Sequence, residues 1–566
     1  MSTRDENGDK IKKEQEKEEE KQLCRKKKKE KHERAHTPEV ERSDSVLLRG
    51  IFKVGKKSHD VLLTGTRLTW TPILPESPAG KARPLPPPGV LMLRDVLAAK
   101  VKRRRAAGQS SGGPVLGLAL FYCVRKGRRL EEDTLHLHNA SSEHTHAWYN
   151  TLKELLAGFS GRPRRVKVFI NPSSHRKEAV HIYREHVAPL FKMADVCTDI
   201  TVTERKGHAL SVMTELKTED FDGVVCVGGD GSVAELCHAV VLRAQLDAGS
   251  PAVPVRAPLP LGIIPAGSTD AVSCSVHGVR DPVTAAMHVV LGHVQRVDMC
   301  SFRRADQPPR FGFSAMWGFG ARVLARAEKK RWMPSARRRD YALLKTLAGL
   351  RPQDCQLSFV TDRADDTAER VEEQDGDSES WSTDRGPYLS VSIMAIPCLS
   401  PHAPRGLAPN TRLANGSAAL IAVRDTSRSE FVKHLKRLSA PAGQLDFCFV
   451  EAHKVTAVRL RPRGPTGRSE DESEDDSKAA PVIHSSAGFP WNVDGELLEI
   501  PDEVLVRGQG RTGTEEQPWT LTQPSTQESL YDGKRRPSSG VQGHAPPPGE
   551  FFFFTFYCKM HRFRAL

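Results

Sequence analysis

The stretch VVCVGGDGSVAELCHAV, residues 224–240, decides how this chain is read: an apolar strand runs into Gly228, Gly229, Asp230 and Gly231, and a helix is expected from Ser232. Glycines at a strand-to-helix turn let backbone N–H groups approach a phosphate closely, and the helix N-terminus adds positive potential. Asp230, a carboxylate set in that turn, can orient magnesium or accept a hydroxyl proton, which makes it the first catalytic candidate. Glu235 has two readings. It can contact nucleotide, or it can close a capping box in Ser232-x-x-Glu235.

A second junction of the same kind lies in LGIIPAGSTDAV, residues 261–272, where Gly267, Ser268 and Thr269 offer N–H and hydroxyl donors to phosphate oxygens. Two such junctions in one parallel sheet place their loops at its carboxyl edge, where open α/β sheets bind ligands. VKVFI (166–170), VTV near 202, GVVCV (223–227) and LGIIP (261–265) are compact apolar runs, separated by amphipathic stretches at 176–194, 208–217 and 232–246. Strands alternating with helices imply a parallel sheet covered on both faces. We therefore place an α/β nucleotide-binding subdomain over 163–295.

From about 296 to 508 β-runs dominate, among them RFGFSAMWGFG, YLSVSIMAI and FCFVEAHKVTAVRLRP. They predict an all-β subdomain with acidic, disordered inserts near 362–385 and 464–480. Within it FPWNVDGELLEI sets Asp494, Gly495 and Glu496 at a tight turn, although Asp-Gly is also an ordinary hairpin turn. Ahead of the α/β part, over 46–158, short β-runs precede SSEHTHAWYNTLKELLAGF, in which Trp148, Leu152, Leu155 and Leu156 share one helical face. Antiparallel strands closed by one such helix resemble a pleckstrin-homology β-barrel. Its KVKRRR stretch, Lys100 to Arg105, offers phosphoinositides and other anionic membrane lipids a cationic rim, or is a solvated loop.

The composition bounds the rest. The 566 residues carry 84 basic and 70 acidic side chains, a net charge of +14, which favours acidic partners. Residues 1–45 alternate Lys and Glu and cannot bury enough apolar area to order themselves. Their run Arg25 to Lys29 suits the nuclear import machinery or anionic headgroups, or is a solvated tail. Residues 509–566 form a second tail ending in FFFFTFYCKMHRFRAL, an apolar run too short to span a bilayer. No run reaches the roughly 20 apolar residues of a membrane helix, and the N-terminus has no signal-peptide core, so neither an integral membrane nor a secreted protein is expected. The 11 scattered cysteines include no CxxC pair, which argues against a disulfide framework or structural zinc. Nucleic-acid recognition is not predicted, because no aromatic reading surface accompanies the basic runs.

GGDG, then PAGSTD, then DGE far downstream resembles the diacylglycerol-kinase-type lipid kinase superfamily. With the N-terminal domain, and with LLRGIF, EKKRW, SIMAIPCL and PRGLAPNTRL, the order of parts from about 46 to 508 is similar to the ceramide kinase branch. The resemblance implies a multidomain α/β plus β chain: a PH-like barrel, then the α/β and β-sandwich subdomains of the diacylglycerol-kinase catalytic fold, with Mg2+ and ATP as cofactors if the chain is active. It puts Asp230 on the acid assigned as base and Asp270 near the lipid headgroup. Asn171, Pro172, Ser173, Thr203, Glu204, Gly228, Gly229, Gly231, Glu235, Gly267, Ser268, Thr269, Asp494, Gly495 and Glu496 fall in the nucleotide site, with Asp494 near magnesium. A cytoplasmic protein peripherally associated with internal membranes such as ER and Golgi is expected, with nuclear or nucleolar entry through the Arg25 to Lys29 run, and the resemblance suggests a part in cell survival under stress.

Two departures set this chain apart from that pattern. The family's glycine-rich NPFGGKG loop reads Asn171-Pro172-Ser173-Ser174-His175-Arg176-Lys177, which adds Cβ atoms where backbone approaches phosphate. In GFGARVLARAEKKRW, Arg322 and Arg326 stand where acidic residues are expected, at what should be the magnesium cleft. The predicted function is a lipid-kinase fold with little or no ceramide kinase activity, serving as a nucleotide- or lipid-responsive regulator. The alternative is an active ATP-dependent kinase acting on a sphingolipid or related hydroxyl.

Overall fold

A computed structural model of the chain describes residues 45–74, 87–109, 112–174, 177–249, 255, 257–304, 307–330, 332–333, 335–362, 380–401, 403–463, 489–500, 504–508 and 519–521. The basic run Arg25 to Lys29, Arg176, the 464–480 insert and the C-terminal aromatic segment lie outside the described residues. The chain divides into two compact units, residues 1–124 with 132–162, and residues 125–131 with 163–566.

The first unit holds β1 (Val46–Val54), β2 (Lys57–Thr64), β3 (Arg67–Pro72), β4 (Gly89–Met92), β5 (Val96–Arg103), β6 (Val115–Lys126) and β7 (Arg129–His138). They form one sheet in the order β4-β3-β2-β1-β7-β6-β5, so β4 and β5 are edges. Helix α1 (Ser142–Ala157) starts at Ser141, whose hydroxyl accepts from His144 N at 3.2 Å. Its apolar face is the one the sequence marks. Trp148 and Leu152 are buried, and Trp148 meets Phe52 edge-on with ring centroids 4.9 Å apart. The basic stretch at 100–105 is largely strand, not loop. Lys100 to Arg103 end β5, where Arg103 binds Gly113 O at 3.2 Å, and Arg104 and Arg105 are exposed.

In the second unit come β8 (Arg165–Ile170), α2 (Ala179–Ile182), a π turn (Tyr183–Val187), α3 (Ala188–Met193), β9 (Cys197–Val202), α4 (His208–Glu215) and β10 (Gly223–Gly228). There follow α5 (Asp230–Asp247), β11 (Leu261–Pro265), α6 (Ala271–His277), α7 (Pro282–Leu291) and β12 (Gln295–Val297). Strands β8 to β11 are parallel in the order β11-β10-β8-β9, and every residue of β10 and β11 is buried, as their unbroken apolar runs require. From β8 the chain moves to β9 on one side and then to β10 on the other. The carboxyl ends of β8 and β10 therefore flank a topological switch point, the standard ligand crevice of open α/β sheets.

The third part contains β13 (Cys300–Arg304), β14 (Gln307–Gly312), β15 (Ser314–Gly318), α8 (Phe319–Lys329), α9 (Ser335–Ala348), β16 (Gln353–Thr361), β17 (Ser382–Met394), β18 (Ala418–Arg424) and α10 (Arg428–Arg437). It is completed by β19 (Val450–Pro462), β20 (Phe489–Val493), β21 (Glu496–Ile500) and β22 (Val504–Gly508). All pairings are antiparallel. The 13-residue strands β17 and β19 each serve two neighbours along their length: their Ser382 and Pro462 ends pair with β16, and their Met394 and Val450 ends with β18. The four strands thereby close on themselves. Trp317 and Trp491 are cross-strand partners and both are fully buried, with Tyr388 and Leu460 in the same core.

Three expectations need correction. The helices α8, α9 and α10 interrupt a region read as β throughout. Residues 382–385, read as part of a disordered insert, open β17, because Ser382 to Tyr388 pair with Gln353 to Phe359. The segment beyond 508 is not tail throughout: Trp519–Leu521 forms β23, which joins the α/β sheet between β11 and β12.

Candidate functional site

The loops leaving β8, β9 and β10 line a cleft of about 610 Å³ together with Arg310 and the β20–β21 turn. Asn171 begins the first loop. Its N–H donates to Val227 O at 3.0 Å, its Oδ1 accepts from Ser173 N at 3.0 Å, and its Nδ2 donates to Ser232 Oγ at 2.8 Å. One side chain thus ties the end of β8 to the first turn of α5. Helix α5 opens at Asp230, two residues before the sequence placed it, with Gly229 as N-cap. The Ser232–Glu235 capping box does not form. Ser232 is held by Asn171, and Glu235 Oε1 accepts from Ala209 N at 3.1 Å, satisfying a donor at the start of α4.

The glycines have a packing reason as well as a phosphate one. A Cβ on Gly267 would fall 2.5 Å from Gly229 Cα, so the two strand-to-helix loops touch backbone to backbone. A Cβ on Gly228 would fall 2.8 Å from Ser232. Gly267 N donates to Asp270 Oδ1 at 2.8 Å, and Asp270 Oδ2 meets Arg280 Nε at 2.6 Å, while Arg280 also binds Gly267 O. Asp270 is buried in the left-handed region with φ 54°, so its carboxylate closes the loop on itself.

Asp230 is buried beside this clamp, with 4% of its surface exposed. Its Oδ1 accepts from Val272 N at 2.9 Å, and Oδ2 has no hydrogen-bond partner among the described residues. Burial, and then the Asp270 charge, push its carboxyl up to about 7, against the Val272 and Ala271 N–H groups that pull it down. The third carboxylate, Asp494, heads a two-residue hairpin turn in which Asp494 (φ 47°) and Gly495 (φ 83°) both take positive φ, the I′ geometry for which Asp-Gly is preferred. Its Oδ2 accepts from Phe313 N at 2.9 Å and its Oδ1 from Ser314 N and Oγ, both at 2.8 Å. Glu496, one residue past the turn, is bridged by Lys206 at 2.6 Å and Arg310 at 3.0 Å.

Of the sequence candidates, Asn171, Ser173, Thr203, Glu204, Gly229, Gly231, Glu235, Asp494, Gly495 and Glu496 line the cleft. Pro172, Gly228, Asp230, Gly267, Ser268, Thr269 and Asp270 are not among its lining residues. Sequence reasoning missed Arg205, Lys206 and Arg310, the cations of the cleft. Lys206 follows Thr203 and Glu204 after β9 and was within reach of the same argument, whereas Arg310 is one residue of a β-run and gave no signal. Arg322, expected at the magnesium cleft, is likewise not among the lining residues. It sits on α8 and donates from Nη2 to Arg351 O at 2.6 Å. In the altered phosphate loop Lys177 holds φ 65°, a conformation that suits the glycine of the NPFGGKG pattern and strains a lysine by about 1 kcal/mol.

An α/β half with paired strand-to-helix loops at its switch point, joined to an antiparallel half that lends an Asp-Gly turn to the same cleft, is the catalytic fold of the diacylglycerol kinase class. The diacylglycerol kinase catalytic domain model matches residues 165–302, and the ceramide kinase C-terminal domain model matches residues 313–512. The chain is 46% identical over 502 residues to ceramide kinase-like protein of Homo sapiens, covering 82% of this chain and 89% of that protein. It is 32% identical over 414 residues to ceramide kinase of Mus musculus, covering 66% and 78% respectively. A crystal structure of a diacylglycerol kinase from Bacillus anthracis str. Sterne matches with a TM-score of 0.39 at 13% identity, covering 64% of this chain and 97% of that one. The chain belongs to the ceramide kinase family.

Proposed function

We propose that this chain binds a nucleotide in the 610 Å³ cleft without phosphorylating ceramide efficiently, and acts as a nucleotide- or lipid-responsive regulator at membranes. The observation that carries this reading is the setting of Asp230. A general base must reach the hydroxyl it deprotonates, yet this carboxylate is 4% exposed, lies outside the cleft lining, and spends one oxygen on the α6 backbone. The strained Lys177 in the phosphate loop points the same way.

The residues present fit a nucleotide better than a protein-built metal site. The cleft falls in the roughly 300 to 1,000 Å³ range of small-molecule pockets, and Arg205, Lys206 and Arg310 supply cations for phosphate. Among the described residues no group of three or more His, Cys, Asp or Glu side chains is placed to hold a metal ion. Both Asp494 oxygens already accept hydrogen bonds, and both Glu496 oxygens are held by Lys206 and Arg310. Magnesium-ATP, when bound, would supply the transferable phosphoryl group and its charge neutralisation. The alternative, an active lipid kinase, is favoured by one observation: Asp230 Oδ2 is unpartnered among the described residues and its carboxyl is pushed up to about 7, where a base is best matched to neutral pH. Binding of Mg-ATP and its transfer to ceramide, sphingosine or diacylglycerol by the purified chain separates the two.

For the first unit we propose a pleckstrin-homology-type module that addresses phosphoinositides through Arg104, Arg105 and the end of β5. The Arg25 to Lys29 run would add nuclear or nucleolar entry to a cytoplasmic pool at ER and Golgi membranes. Replacing Lys26 to Lys29 by Gln should lower the nuclear fraction on imaging, and an unchanged fraction would refute that address.

A further inference from the structure

Helices α8 and α9 pack together and bring arginines to one place. Arg322 Nη2 donates to Arg351 O just past the end of α9, and Arg326 Nη2 lies 3.8 Å from where a Cβ on Gly349 would sit. Carbonyls at a helix C-terminus attract guanidinium groups, and this accounts for Arg322 Nη2. It leaves Arg322 Nε and Arg326 Nη1 unaccounted for. Both are buried and lack a hydrogen-bond partner among the described residues. Burial, and then the charges of Arg326 and Arg351, hold the Arg322 guanidinium down to about 10. Each buried donor without a partner costs about 1 to 3 kcal/mol. Like charges gathered with unpartnered donors suit an oxyanion, which planar guanidinium groups bind through paired N–H bonds.

The outer surface of the same helices is amphipathic. Along α9, Arg337, Tyr341, Leu344, Lys345 and Ala348 are exposed at helical spacing, with Tyr341 39% and Leu344 47% accessible. Trp332, in the turn before α9, is 78% accessible and follows exposed Lys329. Large apolar side chains alternating with lysine and arginine over the roughly 20 Å of such a helix suit the interface of an anionic membrane.

We propose that the α8–α9 pair carries a site for the phosphate of an anionic lipid headgroup, held by Arg322 and Arg326 beside Arg351, with Trp332, Tyr341 and Leu344 seated in the membrane interface. The site is separate from the cleft, and the proposal stands whether or not that cleft transfers phosphate. Carboxylates at positions 322 and 326, as in the ceramide kinase pattern, would repel such a headgroup, so this specificity distinguishes the chain from that pattern.

The test uses the full chain and phosphatidylcholine vesicles with and without phosphatidic acid. The Arg322→Gln/Arg326→Gln variant should lose about tenfold or more in affinity for phosphatidate vesicles, the value of one charged hydrogen bond. Inorganic phosphate should compete with wild-type binding. Trp332→Ala/Leu344→Ser, which alters only exposed side chains, should weaken vesicle binding yet leave glycerol phosphate binding unchanged. A folded Arg322→Gln/Arg326→Gln protein that binds vesicles like wild type would overturn the proposal. If that variant fails to fold, unchanged vesicle binding by Trp332→Ala/Leu344→Ser overturns it instead. Phosphate binding with no preference for phosphatidate vesicles would reject the lipid and leave a free phosphate ester as the ligand.

Discussion

Asp494→Ala should lower stability by about 4 kcal/mol and the melting temperature by roughly 10 °C. The carboxylate is the common acceptor for Phe313 N, Ser314 N and Ser314 Oγ, and Phe313 and Ser314 are themselves buried. Removing it strands three donors at the junction that holds the β20–β21 turn to β15. Alanine at φ 47° adds strain of about 1 kcal/mol. Asp494→Asn tolerates that φ and keeps one carbonyl acceptor, so its loss should be well under half as large. Thermal melts of the three proteins in the absence of nucleotide provide the comparison. An Asp494→Ala protein that melts within a degree or two of wild type would mean that the carboxylate is spare and reserved for a ligand.

The second large effect is a pH dependence located at Asp230. Its carboxyl is raised from 3.8 to about 7 in the folded chain, first by burial and then by Asp270, with Asp494 adding in the same direction. Between these values the folded state holds a proton that the unfolded state has released, so stability falls as pH rises from about 4 to 7 and levels off above. The shift corresponds to something on the order of 4 kcal/mol across that window. Asp230→Asn carries no titrating proton and should therefore be more stable than wild type at pH 7.5, with the advantage shrinking towards pH 4.5. Other buried groups titrate nearby, among them Asp298, raised to about 6, and His277 and His434, each lowered to about 4. They are common to both proteins, so the difference in melting temperature isolates Asp230. A difference independent of pH would refute the assignment.

Much of the α/β half was legible because its cues are local. Short, unbroken, β-branched runs such as Val224 to Val227, bounded by glycines, read as strands buried on both faces, and glycines after a strand announce a loop at the carboxyl edge. The long-range facts were not legible. The Ser232–Glu235 spacing fits a capping box, yet α5 starts two residues earlier because Gly229 must approach Gly267, and each side chain then takes a partner from another element. Helix α8 was hidden by its neighbour. FGARVLARAEK follows directly on the strand SAMWG, with Gly318 at φ 80° as the only break, so its apolar residues read as a continuation of the β-run. Asp270 illustrates the limit at the site. Its motif position suggested a headgroup contact, and only the structure reveals Arg280, ten residues on, holding it in the loop.

We propose a nucleotide site on a lipid-kinase fold that does not turn ceramide over. The most direct measurement is Mg-ATP binding by the purified full chain, by calorimetry, paired with phosphate transfer to ceramide in mixed micelles, for wild type and for Lys177→Gly, which relieves the φ 65° strain in the phosphate loop. Saturable nucleotide binding is expected with ceramide phosphorylation at background in both proteins, and tighter binding by Lys177→Gly. Robust phosphorylation of ceramide by the wild-type chain would contradict the proposal.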